Sequence, residues 1–338
     1  MPAFLLEHEL SQGRACKIYC TEPRRISAIS LARRVSEEMG ENRGDLGTNR
    51  SLVGYSIRLE ANTSKETRLV YATTGIVMRM LEGSNDLREV THLVLDEVHE
   101  RSIDSDFLLI VLKRLLETRR DLRVVLMSAT VDAERFSNYL GGAPVLNVPG
   151  RTFPVEVRYL EDAIQLTNYT PIVDGPAAKM EDLDEEVVAE AESTNPTPRS
   201  DFLQSLSKYS NSTKSVLATI DEYRIEFDLI AQLIAKIATS EELVDYSKAI
   251  LVFLPGIAEI RTLNDMLLGD PRFAKDWLIY PLHSTIATED QESAFLVPPP
   301  GMRKIVLATN IAETGITIPD VTCVIDTGKH REMRFDER

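Results

Sequence analysis

The sequence predicts an α/β protein with two doubly wound parallel sheets, and three observations carry that expectation. Short runs that are apolar on both faces alternate with stretches of helical periodicity, the pattern left by parallel strands covered by helices. The chain has 338 residues, 43% of them hydrophobic, enough for two ordinary cores. A polar, acidic segment interrupts the alternation once, so the pattern falls into two halves.

In the first half, residues 15–20, 68–72, 92–95 and 123–127 read as strands. Between them, Ile26, Ile29, Val35 and Met39 mark one helix, and Phe107, Leu108, Val111, Leu112 and Leu115 mark another. From about Pro171 to Lys214 the periodicity gives way to Pro, Ser, Thr, Asn and acidic residues, a composition that favours a flexible linker over a core. Residues 159–222 hold 13 acidic and 4 basic residues, more than half of the excess behind the net charge of −15. Periodicity resumes with Ile225, Leu229, Leu233 and Ile237, followed by strands at 250–254, 278–280, 304–308 and 323–326. Thr288 and Gln291 have the spacing of a capping box and predict a helix start between the second and third of these strands. The expected division is 1–158, an acidic linker at 159–222, and 223–338.

Composition also excludes several classes. No stretch approaches the roughly 18 apolar residues of a membrane span, so no membrane association is expected. Three cysteines, Cys16, Cys20 and Cys323, provide neither a disulfide framework nor a four-ligand zinc site, and point to a reducing compartment, cytoplasm or nucleus. The strongly acidic balance argues against coating nucleic acid through bulk charge, so any such contact must be local.

The most informative stretch is Leu93-Val94-Leu95-Asp96-Glu97-Val98-His99-Glu100-Arg101. An apolar strand that ends in adjacent carboxylates places them at the carboxyl edge of a parallel sheet, where open α/β folds bind ligands. Asp96 is then suited to hold Mg²⁺, and Glu97 to polarise a water for attack on a phosphoryl group. Taken alone, such a run equally describes a strand that enters a surface turn. Other short elements occur with it in a fixed order: Thr21-Glu22-Pro23-Arg24-Arg25, Thr73-Thr74-Gly75, Ser128-Ala129-Thr130, then Leu254-Pro255-Gly256, Leu282-His283-Ser284 and Ala308-Thr309-Asn310-Ile311-Ala312-Glu313-Thr314-Gly315-Ile316-Thr317. All but Leu282-His283-Ser284 fall where a strand hands over to a helix or loop.

This ordered series resembles the DExH/DEAH-box RNA helicases of superfamily 2, and Asp96-Glu97-Val98-His99 followed by Glu100-Arg101 resembles their RNA helicase A-like branch. The resemblance implies two RecA-like domains, both incomplete, that act on ATP, Mg²⁺ and single-stranded RNA. It implies that Asp96 and Glu97 are the metal and water residues, that Glu97 and Thr317 meet ATP, and that His99 links the nucleotide site to Ser128 and Thr130. It also implies sugar-phosphate contacts from Thr21, Arg24, Arg25, Thr73, Thr74, Gly75, Pro255, Gly256, Thr309 and Asn310. Such contacts grip a backbone without reading bases. The acidic segment is left as a surface for protein partners.

Two departures from the family pattern stand beside the matches. No G-x-x-x-x-G-K-[ST] phosphate loop occurs, and Gly328-Lys329 does not complete one, since Cys323 and His330 occupy the flanking positions. No Q-x-x-G-R-x-G-R element occurs either. The expectation is an interior piece of a helicase that starts just downstream of the phosphate loop. The leading reading is an ATP-dependent RNA helicase core fragment, inactive as an isolated chain. The alternative is a catalytically inactive RNA-binding helicase remnant. A nucleotide-binding metabolic enzyme is weaker, because no G-x-G-x-x-G fingerprint occurs.

Overall fold

A computed structural model of the chain describes residues 1–82, 87–129, 133–150, 153–171, 206–221, 223–286, 291, 293–313 and 315–331. The chain forms two compact units: residues 1–150 with 282–296 and 309–319, and residues 151–281 with 297–308 and 320–338.

In the first unit, α1 (Pro2–Ser11) opens with a proline in its first turn, where the missing N–H costs nothing. Then come β1 (Ile18–Glu22), α2 (Arg25–Glu38), β2 (Val53–Ile57), β3 (Glu60–Asn62), β4 (Leu69–Thr73) and α3 (Thr74–Glu82). The unit continues with β5 (His92–Leu95), α4 (Ile103–Thr118), β6 (Arg123–Leu126) and α5 (Ala133–Tyr139). The sheet order is β3-β2-β4-β1-β5-β6, with only the short β3 paired antiparallel. Side chains on a strand alternate between faces, and the two cores follow that period. Leu69, Tyr71, Cys20 and Val94 pack with Leu6, Ile29 and Ala32 of α1 and α2. Val70, Ala72, Leu93 and Leu95 pack on the other face with Val77, Leu108 and Leu112 of α3 and α4. Helices therefore cover both faces, and the strands read as apolar throughout because neither face meets water.

The second unit contains α6 (Leu160–Thr167), α7 (Asn211–Thr219), α8 (Phe227–Thr239), β7 (Ala249–Phe253), α9 (Ile257–Gly269), β8 (Trp277–Leu282), β9 (Arg303–Ala308) and β10 (Cys323–Asp326). Its sheet order is β10-β7-β9-β8, with parallel pairing of β10 to β7 and of β7 to β9. Ile230, Ile234 and Ile237 of α8 and Ile260, Leu263 and Leu267 of α9 close on Ile250, Val252, Ile305 and Leu307.

Two local readings differ from the sequence expectation, and a third, the capping box, falls partly outside the described residues. The expected linker is folded at both described ends: Ile164 of α6, Tyr169 and Val216 of α7 form a small core with Leu229. The Tyr209 hydroxyl donates to Asp162 at 2.8 Å and the Tyr169 hydroxyl to Glu226 at 2.8 Å. Composition averaged over the segment hid these few apolar anchors, while residues 172–205, including the acidic run 181–186, lie outside the described residues. Strands β2 and β3 were not expected. Thr288 lies outside the described residues, and the Gln291 side chain accepts from the His283 amide at 3.2 Å and donates to the Ile286 carbonyl at 2.7 Å. A 3₁₀ turn, Ser293–Phe295, follows.

Lys304, at the start of β9, is fully buried, and its ammonium is bonded to the Asp320 carboxylate. Residues 309–319 leave the second unit after β9 and return at Asp320, so this pair fastens the return point to the strand of departure. Removing one member of a buried ion pair strands the other charge in a low-dielectric interior. Asp320→Ala is therefore expected to destabilise the chain by about 3–5 kcal/mol in urea denaturation, and the apolar double replacement Lys304→Met/Asp320→Leu by clearly less. Equal losses in the two variants would show that the pair's charge is not what matters.

Candidate functional site

The site forms where the parallel strands of the first unit end. Strand β1 lies between β4 and β5, with Cys20 opposite Val94 and Thr21 opposite Leu95. The ladder runs one residue further, because the Asp96 amide donates to the Thr21 carbonyl at 3.1 Å. Cys20, Glu22 and Asp96 thus share one face, and one ligand atom from each lies within 4.8 Å of the others. The chain then turns sharply. Glu97 adopts the left-handed conformation, with φ 52° and ψ 36°, and its amide donates to Asp96 Oδ1 at 2.8 Å. The Val98 amide donates to the Met127 carbonyl at 3.2 Å, which ties this turn to the end of β6.

That turn brings Asp96, Glu97 and His99 together. His99 Nδ1 lies 3.5 Å from Glu97 Oε2 and accepts from the Ala129 amide at 3.4 Å. His99 thus lies between Glu97 and the Ala129 backbone. Ser128 is exposed, and Thr130 lies outside the described residues.

The expected nucleic-acid residues are spread over both units. Thr21 and Thr74 are buried, and the Thr74 hydroxyl donates to the Glu22 carbonyl at 3.5 Å. Thr73 and Gly75 are partly exposed, and Arg25, at the start of α2, is exposed. Arg24 is already engaged: Nη1 donates to the Ile311 carbonyl at 3.2 Å, and Nη2 lies 3.4 Å from Glu100 Oε1. Thr309 is buried, with its Oγ1 accepting from the Ile311 amide at 3.5 Å, while Asn310 and Thr317 are exposed. In the second unit, Pro255 and Gly256 precede α9, and a Cβ on Gly256 would approach Glu259 Oε2 to 2.9 Å.

Sequence reasoning quoted Glu22 within its motif and gave it no role. The structure buries it completely, and neither its Oε2 nor the Ser27 hydroxyl has a hydrogen-bond partner among the described residues. Gly315, with φ 68°, is seated against them: a Cβ there would come within 2.7 Å of Ser27 Oγ and 3.7 Å of Glu22 Oε2. Only a residue without a side chain fits this close approach in a left-handed conformation. The signal that could have found Glu22 is strand alternation, which puts it on the face of Cys20 and directly beside Asp96.

Burial, with Asp96 and Glu97 nearby, pushes the Glu22 carboxyl up to about 9. Burial likewise pushes Asp96 up to about 6, against the hydrogen bond from the Glu97 amide. A partly buried carboxylate at the mouth of such a cluster is a hard oxygen donor whose charge a divalent cation would relieve, so the donor set at Asp96 fits Mg²⁺. Because Glu22 binds its proton more tightly when folded than when unfolded, its contribution to stability is fully present below the ordinary carboxyl range. That contribution is lost as pH rises through about 9. Chemical denaturation over this range should show stability falling by up to about 1.4 kcal/mol per pH unit, a slope that Glu22→Gln should remove. An unchanged slope in the variant would place the titration elsewhere.

Comparison with known proteins matches this geometry to one family. The description "DEAD/DEAH box helicase" matches residues 4–138, and "Helicase conserved C-terminal domain" matches residues 230–336. The ATP-dependent RNA helicase DHX29 of Mus musculus is 44% identical over 358 aligned residues, covering 100% of this chain and 26% of that protein. The ATP-dependent DNA/RNA helicase DHX36 of Mus musculus is 43% identical, covering 98% of this chain and 34% of that protein. The chain thus spans about a quarter to a third of the length of these curated relatives. Among solved structures, the Escherichia coli DEAH/RHA helicase HrpB aligns with a TM-score of 0.67 and 33% identity over 99% of this chain and 34% of that one. The Asp96-Glu97-Val98-His99 turn at a parallel-sheet edge, the two sheets and these matches agree, and the chain belongs to the DExH/DEAH-box helicase family.

Proposed function

We propose that this chain is the core of an ATP-dependent RNA helicase, which couples ATP hydrolysis to movement on or unwinding of RNA. The observation that carries the reading is the turn that joins Asp96, Glu97 and His99 to the end of β6. The relatives named as RNA helicases support RNA as the substrate class, and the family supports ATP with Mg²⁺. The family matches at 4–138 and 230–336 support two RecA-like domains at 1–158 and 223–338 with the acidic segment 159–222 between them. The acidic segment remains the proposed surface for protein partners, and cytoplasm or nucleus the proposed location. Among the described residues no helix is long and apolar enough to cross a membrane.

In this reading Asp96 would hold Mg²⁺, which when bound would supply charge neutralisation for the phosphates of a nucleotide. Glu97 orients and deprotonates the attacking water. Its backbone is left-handed, and His99 Nδ1 lies 3.5 Å from its Oε2 and helps to hold it in place. Ser128 and Thr130 pass the state of that site to the following segment, and Thr317 meets the nucleotide. Thr21, Thr73, Thr74, Gly75, Pro255, Gly256, Thr309 and Asn310 line the path of the nucleic-acid backbone together with Arg24 and Arg25. The buried threonines act there by shaping loops, and exposed Arg25 and Asn310 by direct contact.

For these 338 residues taken by themselves, a second reading is an RNA-binding segment without ATPase activity, because no G-x-x-x-x-G-K-[ST] loop occurs among them. Backbone amides and a lysine that cradle the phosphates are then lacking. Protein of this length is expected to show no RNA-stimulated ATPase above its Glu97→Gln variant, and turnover that the variant lacks would overturn the inactive reading. In a chimera that places a relative's phosphate loop ahead of Met1, Glu97→Gln should keep ATP binding and lower kcat by roughly 10²–10⁴-fold. Lost binding with unchanged kcat would assign Glu97 to the ground state instead.

The RNA grip is tested on the two exposed residues. Arg25→Ala should weaken binding of U-rich and A-rich single strands equally and lower the salt slope by about one phosphate contact. Asn310→Ala should weaken both by roughly 0.5–1.5 kcal/mol, the worth of one hydrogen bond. A change in preference between the two oligomers would mean base readout.

A further inference from the structure

The first unit has a second concave site, on the sheet edge opposite Asp96. Lys17 immediately precedes β1, Arg68 precedes β4 and Thr91 precedes β5, and because these strands are parallel their amino-terminal ends lie side by side. Together with Ser64 and Lys65 from the segment after β3, and with Glu89, they line a pocket of about 730 Å³.

The pocket is cationic within an acidic protein. It gathers Lys17, Lys65 and Arg68 against the single carboxylate of Glu89, in a chain whose net charge is −15. The lysine at its back is held firmly. The Lys17 amide donates to Thr91 Oγ1 at 3.0 Å, and the Thr91 hydroxyl donates back to the Lys17 carbonyl at 3.1 Å. The Lys17 ammonium is half-buried and donates to the Thr67 carbonyl at 2.6 Å, with no carboxylate in ion-pair range among the described residues. Burial, with Arg68 beside it, pushes Lys17 below its usual range. Arg68 has only a loose, exposed partner, Glu66 at 3.8 Å, and Lys65 has none among the described residues. An ammonium bonded to a neutral carbonyl keeps its charge and further N–H donors for a ligand that enters beside it.

We propose that this pocket binds a phosphate-bearing ligand through Lys17, Lys65 and Arg68. Three cations suit a group that carries more than one negative charge, and the Arg68 fork matches paired phosphate oxygens. A single carboxylate would leave most of the positive charge unmatched. The site is distinct from the Asp96 edge and does not depend on the helicase reading.

The probe is pyrophosphate, followed by backbone amide shifts in the 338-residue chain. Saturable shifts are expected at Cys16, Lys17, Lys65 and Thr91. Lys65→Glu and Arg68→Glu should each weaken this response by roughly tenfold. Lys65→Met, which removes charge from an exposed side chain without reversing it, should give a smaller loss and guards against misfolding in the reversals. A single-stranded oligoribonucleotide that moves the same amides and competes with pyrophosphate would assign the phosphates to nucleic acid. One that leaves them unmoved would assign the site to a free phosphate compound. Absence of saturable shifts at these amides, or shifts undiminished in all three variants, would overturn the proposal.

Discussion

Parallel pairing of β1 with β5 is the constraint on which the site depends. It fixes Thr21 opposite Leu95 and thereby brings Glu22 beside Asp96 at the point where both strands run out. Two carboxyl groups this close, in a buried setting, cannot both carry charge at neutral pH at reasonable cost. The structure resolves the conflict by keeping Glu22 protonated, with its carboxyl pushed up to about 9, while Asp96 keeps access to solvent. The left-handed Glu97 then follows from geometry. A chain leaving β5 must turn at once to meet the end of β6, and the Val98-to-Met127 hydrogen bond records that it does.

Much of this was legible in the sequence, for a definable reason. Strands covered on both faces are apolar at every position, so residues 92–95 and 304–308 were recognisable without context, and the motifs that follow them fell at strand ends. What was not legible depended on contacts distant in sequence. The β2–β3 hairpin is interrupted by Gly54, Ser56 and Arg58, which dilute its apolar signal, and it is a strand pair only because β4 lies alongside. The helix expected from Ile225, Leu229, Leu233 and Ile237 exists as α8, yet its fully buried face is carried by Leu229, Ile230, Ile234 and Ile237. Two partners, β7 and the small core at Tyr169, widen the buried face beyond one stripe. Lys304 read as a polar strand start, and nothing local announces that Asp320 will neutralise it.

The same distance in sequence separates motif from role at the candidate site. The residues His99 and Glu97 could be paired on paper, since they lie two apart in a tight turn. The Arg24 environment could not, because its partners Glu100 and Ile311 come from elements 76 and 287 residues away. An arginine that answers a carboxylate and a backbone carbonyl has part of its donor capacity already used. In the proposed function, phosphate gripping at this edge would then rest more on exposed groups such as Arg25 and Asn310 than the motif alone would imply.

Because β1, β2, β4, β5 and β6 all run the same way, the sheet of the first unit has two chemically different edges. Its carboxyl-terminal edge carries Glu22, Asp96 and Glu97, and its amino-terminal edge carries Lys17, Arg68 and Arg123. Acidic groups at one edge are useful for holding a cation and a water, but they repel a polyanion unless a metal accompanies it. Cations at the other edge need no such companion. In the readings proposed above, one edge of the sheet would hold phosphate through a metal and the other would hold it directly. The direction of the strands, set by the apolar pattern alone, is what separates those two kinds of chemistry.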